Sequence, residues 1–307
     1  MAARNFVNHL AGLTGLTVSL GLLIAVIFAL AKYTVINGIP VFAAFYWQVL
    51  GASLILMTII TWQGQRLSMH RHHLRYYMIG GLLGVSAPQL MAYAALQHIP
   101  SGLFAVLLTL SPIATFLLAS IYERALLPFY RLVGIVIGLT GVSIATFSGF
   151  NINTNGAAFH WLLLAFTVPL VLGVTNVYRS KALPTDAEPL SLAAGTLLSQ
   201  AFIMTPIIYF NNDGYQPLVA LNPVDFVLLA LAAATALSYL LTFAMQRLTD
   251  GVGFSQIGYF VTLGGVIIGA LFFDETIGLS LLLSIALIFT GLAISNGHFR
   301  AGQKETP

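Results

Sequence analysis

Two stretches of this 307-residue chain, AYAALQHIPSG at 92–102 and LTFAMQRLTDG at 241–251, decide how the rest is read. Each is an apolar segment closing on a glutamine, Gln97 or Gln246. A small polar residue and a glycine follow at the same distance, Ser101-Gly102 in one and Asp250-Gly251 in the other. The correspondence extends further at nearly the same offset, with Glu123 answering Glu275 and Gly141 answering Gly291. The chain therefore reads as two copies of a unit of about 150 residues, 1–150 and 151–307.

A helix needs about 20 mostly apolar residues to cross the hydrocarbon core of a bilayer. Such runs stand at 13–36, 40–61, 74–97, 101–121, 128–147, 158–178, 189–210, 223–246, 252–272 and 277–296. Turn-forming residues separate them, among them Asn37-Gly38-Ile39-Pro40, Pro100-Ser101-Gly102, Asn151 to Gly156, Asn211 to Gly214 and Asp250-Gly251. The expectation is an all-α integral membrane protein of ten transmembrane helices, five per copy. Because five is odd, the second copy enters the membrane from the opposite side, which makes the repeat inverted. That ground plan is common among secondary transporters, with the substrate site near the midplane between the halves.

Composition points the same way. The chain is 58% hydrophobic and 7% charged, with a mean hydropathy of +0.92. A soluble domain carries about 25% charged residues, so lipid must be the solvent for most of this exterior. A net charge of +3 raises the question of nucleic acid, but 12 basic residues scattered over 307 form no patch. Cysteine is absent, which excludes disulfides, cysteine-ligated zinc and iron–sulfur clusters. No Walker-type loop, H-E-x-x-H or G-x-S-x-G occurs, which argues against ATP as energy source and against the familiar hydrolases.

Charge also orients the chain. With the N-terminus in the cytoplasm, Arg4, Arg66, Arg71, Arg75, Arg124, Arg131, Arg179, Lys181, Arg247, Arg300 and Lys304 fall inside, and Lys32 alone falls in the outer half. Asp213, Asp225, Asp274 and Glu275 lie outside. This bias is the one expected for cytoplasmic loops and puts both termini inside, in the cell's inner (plasma) membrane. Arg4 followed by an apolar stretch and Ala29-Leu30-Ala31 is similar to a secretory signal, but the stretch is long for one and the repeat needs it.

The carrying residues are Pro100-Ser101-Gly102 opening span 4, Ser111-Pro112 within it and Tyr122-Glu123-Arg124 closing it. Asp250-Gly251, Asp274-Glu275-Thr276 and the glycines Gly134, Gly138, Gly141 and Gly291 complete the set. On these the chain resembles the EamA-type branch of the drug/metabolite transporter superfamily, and within it the YddG-type exporters of aromatic and other neutral amino acids. The resemblance implies ten helices in two inverted repeats, a small-molecule substrate, a bilayer, no cofactor, and export by alternating access. One departure is Val261, where the proline equivalent to Pro112 would stand in span 9.

Polar side chains in hydrocarbon face a cavity or another helix. Thr235, Ser238, Tyr239, Thr242 and Gln246 form one helical stripe in span 8, and Ser86, Gln89 and Tyr93 form one in span 3. Tyr46, Trp47, Gln48, Asn176, Gln256 and Tyr259 are further candidates. As a cavity lining, these groups would stack on and hydrogen-bond a small substrate; as glue, they would bond across packed helices. Pro88, Pro112, Pro169 and Pro206 kink their spans, as hinges or as fixed bends. Lys32 would pair with a substrate carboxylate, or snorkel to the outer interface. The glycine pairs Gly80/Gly84, Gly134/Gly138 and Gly265/Gly269 read as sites of close helix contact. No Asp, Glu or His stands mid-span, which favours uncoupled over proton-driven movement. Other metabolites or drugs are the alternative substrates; a channel or an intramembrane enzyme is the alternative class.

Overall fold

The computed structural model describes residues 2–124, 129–149, 157–211, 215–217, 222–249 and 254–295. The turns read at Asn151–Gly156 and Asp250-Gly251, and the basic Arg300 and Lys304, lie outside these. All regular structure among the described residues is helical: α1 (Ala2–Ile36), α2 (Val41–Trp62), α3 (Arg71–Gly81), a π-helical turn (Leu82–Ser86), α4 (Ala87–Leu96), α5 (Ser101–Leu108), α6 (Leu110–Tyr122), α7 (Phe129–Gly149), α8 (Ala157–Ala182), α9 (Pro189–Asn211), α10 (Pro223–Gln246), α11 (Ile257–Phe272) and α12 (Leu279–Ser295).

Seven helical stretches are long and apolar enough to cross a membrane: Thr14–Ile36, α2, Arg71–Leu96, Ser101–Tyr122, Phe159–Ala182, Pro189–Phe210 and α10. Three more are apolar but shorter, Leu132–Ala145, Ile257–Phe272 and Leu279–Gly291. Among the described residues seven stretches thus meet both criteria of length and apolarity, three fewer than the apolar runs of the sequence. Outward faces carry large apolar groups in the open, such as Phe129 at 79% and Phe202 at 78% exposure. In water these would be a liability; in lipid they are the expected surface.

Two apolar clusters hold the helices together. One joins α2, α3, α9 and α10 through Phe45, Leu56, Tyr77, Leu197 and Phe243. The other joins α4, α5, α6 and α11 through Leu96, Phe104, Leu107 and Ile257. Helix α1 touches both, with Ala31 in the first and Leu20 in the second. Between helices buried in lipid there is no hydrophobic drive, so close backbone approach matters more. A methyl on Gly291 would fall 2.6 Å from the Gly138 nitrogen, and one on Gly141 2.8 Å from the Ser284 oxygen, so α7 and α12 meet backbone to backbone. Gly264 and Gly265 likewise admit Ala25 of α1 and Ala105 of α5. Gly84 differs from the close-contact reading: it clears space for the Arg179 and Thr175 side chains.

The two helix interruptions have a proline cause. Pro88 carries no N–H, which strips a partner from Gly84 in α register and from Leu83 in π register. Both carbonyls are satisfied laterally: Thr175 Oγ1 donates to Leu83 at 2.7 Å and Tyr239 Oη donates to Gly84 at 2.9 Å. The freed carbonyls are thus bound by the protein itself. At Pro112 the chain breaks between α5 and α6, where Thr109 N bonds back to Val106 at 3.1 Å in a tighter turn. The bends at Pro169 and Pro206 leave α8 and α9 continuous.

This arrangement predicts a coupling between positions far apart in sequence. Tyr239→Phe should cost about 0.6–1.7 kcal/mol of stability, the scale of an interhelical hydrogen bond in a membrane. In a Pro88→Ala background, which returns an N–H to the helix, the same change should cost less. Equal losses in both backgrounds, read by thermal unfolding in detergent, would show that proline does not create the need for the tyrosine.

Candidate functional site

A cavity of about 140 Å³ lies between the two clusters, lined by α1, the π turn, α4, the α5–α6 break, α8, α10 and α11. Its apolar wall includes Ile24, Phe28, Leu108, Val168, Leu172 and Val261. Its polar groups are Gln89, Ser111, Thr175, Asn176, Arg179, Ser238, Tyr239, Thr242 and Ser255. Asn176 is steadied by a 3.1 Å bond from Nδ2 to Thr115 Oγ1. An apolar chamber with a few placed polar groups is the usual form of a small-ligand site. Its volume, below the roughly 300–1,000 Å³ of drug-sized pockets, limits the occupant to a small molecule.

The sequence candidates divide by geometry. Gln89, Asn176, Ser238, Tyr239 and Thr242 line this cavity together with Pro88. Gln48 and Tyr93 do not: Tyr93 Oη donates to Gln48, whose Nε2 donates to Thr235 Oγ1 at 2.7 Å, tying α2, α4 and α10. Ser86 donates to Gln200 Oε1 at 2.6 Å and joins the π turn to α9. Trp47 Nε1 donates to the Tyr215 carbonyl at 2.9 Å, with Tyr46 edge-on beside it. Tyr259 packs on Phe289, and Gln246 and Gln256 also stand off the lining. For Gln48, Tyr93, Ser86 and Trp47 the structure favours tying of neighbouring segments, because their polar atoms meet partners there; the Gln246 amide is buried with neither atom partnered. Pro112 and Pro169 also lie off the lining, beside it in sequence to Ser111 and Val168.

Arg179 is the residue the sequence reading missed. It had counted only as a charge at the arginine-rich face. The Cα–Cβ bond of a helical residue tilts toward the helix N-terminus, so from the last turn of α8 this side chain runs back into the bundle. It is 5% exposed, lies 5.4 Å from the Phe243 ring centre and borders the cavity. Its Nε and Nη2 have no hydrogen-bond partner. The signal was present: Leu172, Thr175, Asn176 and Arg179 repeat at i, i+3, i+4 and i+7 on α8.

Lys32 belongs elsewhere. Its Nζ lies 2.6 Å from Glu275 Oε1 and 4.7 Å from the centre of the Phe273 ring. Neither snorkelling nor a substrate carboxylate describes it, since Glu275 already answers the charge. The same carboxylate caps α5: Oε1 accepts Ser101 N at 2.7 Å and Ser101 Oγ at 2.6 Å, and Oε2 accepts Gly102 N at 2.8 Å. Gly269 leaves the room, since a methyl there would sit 2.5 Å from Glu275 Oε2. Burial pushes the Glu275 carboxyl up, but the bonds from Lys32, Ser101 and Gly102 outweigh it and hold it below its ordinary 4.5. Between this ion pair and the cavity, Phe28 and Phe104 meet edge-on at 5.3 Å, and only about 10 Å³ of free space remains.

At the arginine-rich face, His72 and His73 converge on Asp186 in the α8–α9 connection at 3.2 Å and 3.1 Å, and Ser68 Oγ holds His73 Nδ1 at 2.6 Å. Burial raises the Asp186 carboxyl, and hydrogen bonds from the backbone and the two imidazoles lower it further, to a net depression. These three are a set among the described residues whose donor atoms lie close enough to share a metal, within 4.8 Å of one another. Their present spacing is that of hydrogen bonds tying α3 to the α8–α9 connection.

A sequence profile of the EamA-like transporter family matches the chain twice, over residues 13–147 and 159–297. One solved structure, described only as the crystal structure of a protein, aligns with a TM-score of 0.62 at 18% identity, covering 92% of this chain and 97% of that one. Likeness at that identity bears on fold alone. No curated protein matches the chain.

The Glu275 geometry generates a test that the cysteine-free chain makes simple. Glu275→Gln should raise maleimide labelling of a cysteine at Ala105, which is 4% exposed behind the ion pair. A depressed carboxyl contributes stability that is full above its ordinary pKa and is lost as pH falls through the bound value. Acidification through that range should therefore lower the thermal stability of the wild type and leave that of Glu275→Gln unmoved. Labelling that the substitution does not change would remove the pair's sealing role.

Proposed function

The chain belongs to the EamA-like transporter family, and from that premise we propose that it is a secondary carrier exporting small neutral amino acids, aromatic ones among them. It is a multi-pass membrane protein of a family that moves small solutes, not one that catalyses reactions. One observation supports the amino-acid carrier reading. A small chamber with apolar walls is built from helices of both matched segments, Gln89 and Ser111 from the first and Asn176, Ser238, Tyr239 and Thr242 from the second.

In this reading ten helices, including the three shorter ones, form two inverted five-helix halves, residues 1–150 and 151–307. Both termini are cytoplasmic and the membrane is the cell's inner (plasma) membrane. The chamber reaches toward the arginine-rich cytoplasmic face, and the Phe28–Phe104 layer with the Lys32–Glu275 pair closes the outer one. Rocking one half against the other opens the outer side by parting the Lys32–Glu275 pair, which joins the two halves, and exposes the bound solute to the exterior. The bends at Pro88 and Pro112 are where such motion has least backbone bonding to break. Among the described residues the chamber's lining holds no Asp, Glu or His, which supports movement down the solute's own gradient.

Purified protein in proteoliposomes should take up labelled phenylalanine and leucine saturably, faster with unlabelled amino acid inside, and independently of a proton gradient. Flux that never saturates would point to a channel. Uptake restricted to other metabolites or drugs would overturn the amino-acid assignment and leave the carrier.

A further inference from the structure

Two residues of the chamber lining present buried polar atoms without partners, and they are of opposite kind. Arg179 offers Nε and Nη2, both donors. Gln89 offers Oε1, an acceptor. The Arg179 guanidinium also borders the Tyr239 hydroxyl, but Nε and Nη2 stay unused. A buried guanidinium with no anion is among the costliest groups to keep out of water, and inside a membrane it marks a ligand or ion path by default. Its placement is not that of a cation serving the end of α8. Such a cation would turn to the C-terminal carbonyls or the aqueous face, whereas this one points inward over Phe243 into space that Gly84 clears. A methyl on Gly84 would lie 2.7 Å from its Cζ. Among the described residues no carboxylate forms an ion pair with it; the three so engaged, Glu275, Asp186 and Glu123, serve Lys32, His72, His73 and Lys181.

We propose that Arg179 binds the carboxylate and the Gln89 amide oxygen binds the ammonium of one zwitterionic substrate, which makes the chamber a recognition site for small α-amino acids with apolar side chains. The proposal rests on the amino-acid reading above and assigns its chemistry to two atoms groups. A guanidinium presents paired N–H groups that match the two oxygens of a carboxylate. One cation balances one negative charge, so a phosphate ester, which carries about −1.5 to −2, would leave excess charge against Ile24, Phe28 and Leu108. A carbonyl-type acceptor suits an ammonium without adding a charge that would repel the carboxylate. The remaining wall is apolar and receives the side chain.

The test uses purified full-length protein and three probes of one shape: leucine, leucinamide, which lacks the carboxylate, and 4-methylpentanoate, which lacks the ammonium. Affinities are read by ligand-dependent thermal stabilisation. Wild type should bind leucine at least about tenfold more tightly than either analogue, the scale of one charge-assisted hydrogen bond. Arg179→Gln should erase the leucine–leucinamide ratio and keep the other; Gln89→Leu should erase the leucine–4-methylpentanoate ratio and keep the first. Arg179→Lys, with the charge but not the fork, should fall between. A ratio that its own variant leaves unmoved overturns the assignment. So does a wild type that does not distinguish the probes, a result available even if Arg179→Gln fails to fold, and so does inorganic phosphate displacing leucine. Leucine bound with the expected ratios but not transported sinks the carrier reading and leaves the pair standing. Leucine transported with both ratios unmoved sinks the pair and leaves the carrier.

Discussion

In hydrocarbon no water is available to hydrogen-bond a main-chain carbonyl or N–H, so every such group must find its partner inside the protein. Each irregular feature here is an answer to that demand. Pro88 removes a donor, the helix widens into a π turn at Leu82–Ser86, and Thr175 and Tyr239 reach across from α8 and α10 to take up Leu83 and Gly84. At the start of α5 the free N–H groups of Ser101 and Gly102 are taken by Glu275, a residue 173 positions away from Gly102. These substitutions of side chain for backbone bind helices of the two matched segments to one another. They also explain where the chamber lies, because Gly84, Pro88, Leu108 and Ser111 line it at the places where helices are interrupted.

The same medium governs the charges. Lys32 and Arg179 both sit near helix ends, both are nearly buried, and both touch an aromatic ring. Their environments differ in one respect. Lys32 meets a carboxylate that is also fixed by three hydrogen bonds from α5, so the pair is satisfied and structural. Arg179 meets a ring, a glycine, the Tyr239 hydroxyl and open space, with two donors unused and no anion. A satisfied buried pair resists change, while an unsatisfied cation gains from any anion that enters.

The polar residues of the interior divide into those that tie helices and those left for a solute. The Tyr93–Gln48–Thr235 chain and the Ser86–Gln200 bond hold α2, α4, α9 and α10 and the π turn in register. In the medium of a membrane such bonds are modest singly, but together they keep α10 and α4 at the separation that leaves the chamber open. Gln89, one turn from Ser86 and Tyr93, borders the chamber instead.

The bulk of the fold was present in the order of residues: helical runs of membrane length, the repeat around Gln97 and Gln246, and the apolar, charge-poor surface follow from local chemistry that needs no partner. Part of the site was present too, since Gln89, Asn176, Ser238, Tyr239 and Thr242 share faces that helical periodicity predicts. Sequence periodicity does not say which of two polar stripes meets another helix and which meets a void, so Gln48, Tyr93 and Ser86 read the same as Gln89. Nor does it say whether a charge near a helix end turns outward or inward, or which partner answers it. Lys32 with Glu275, and Arg179 with no carboxylate among the described residues, were decided by the tertiary structure alone, because pairing depends on distances between segments that only packing brings together.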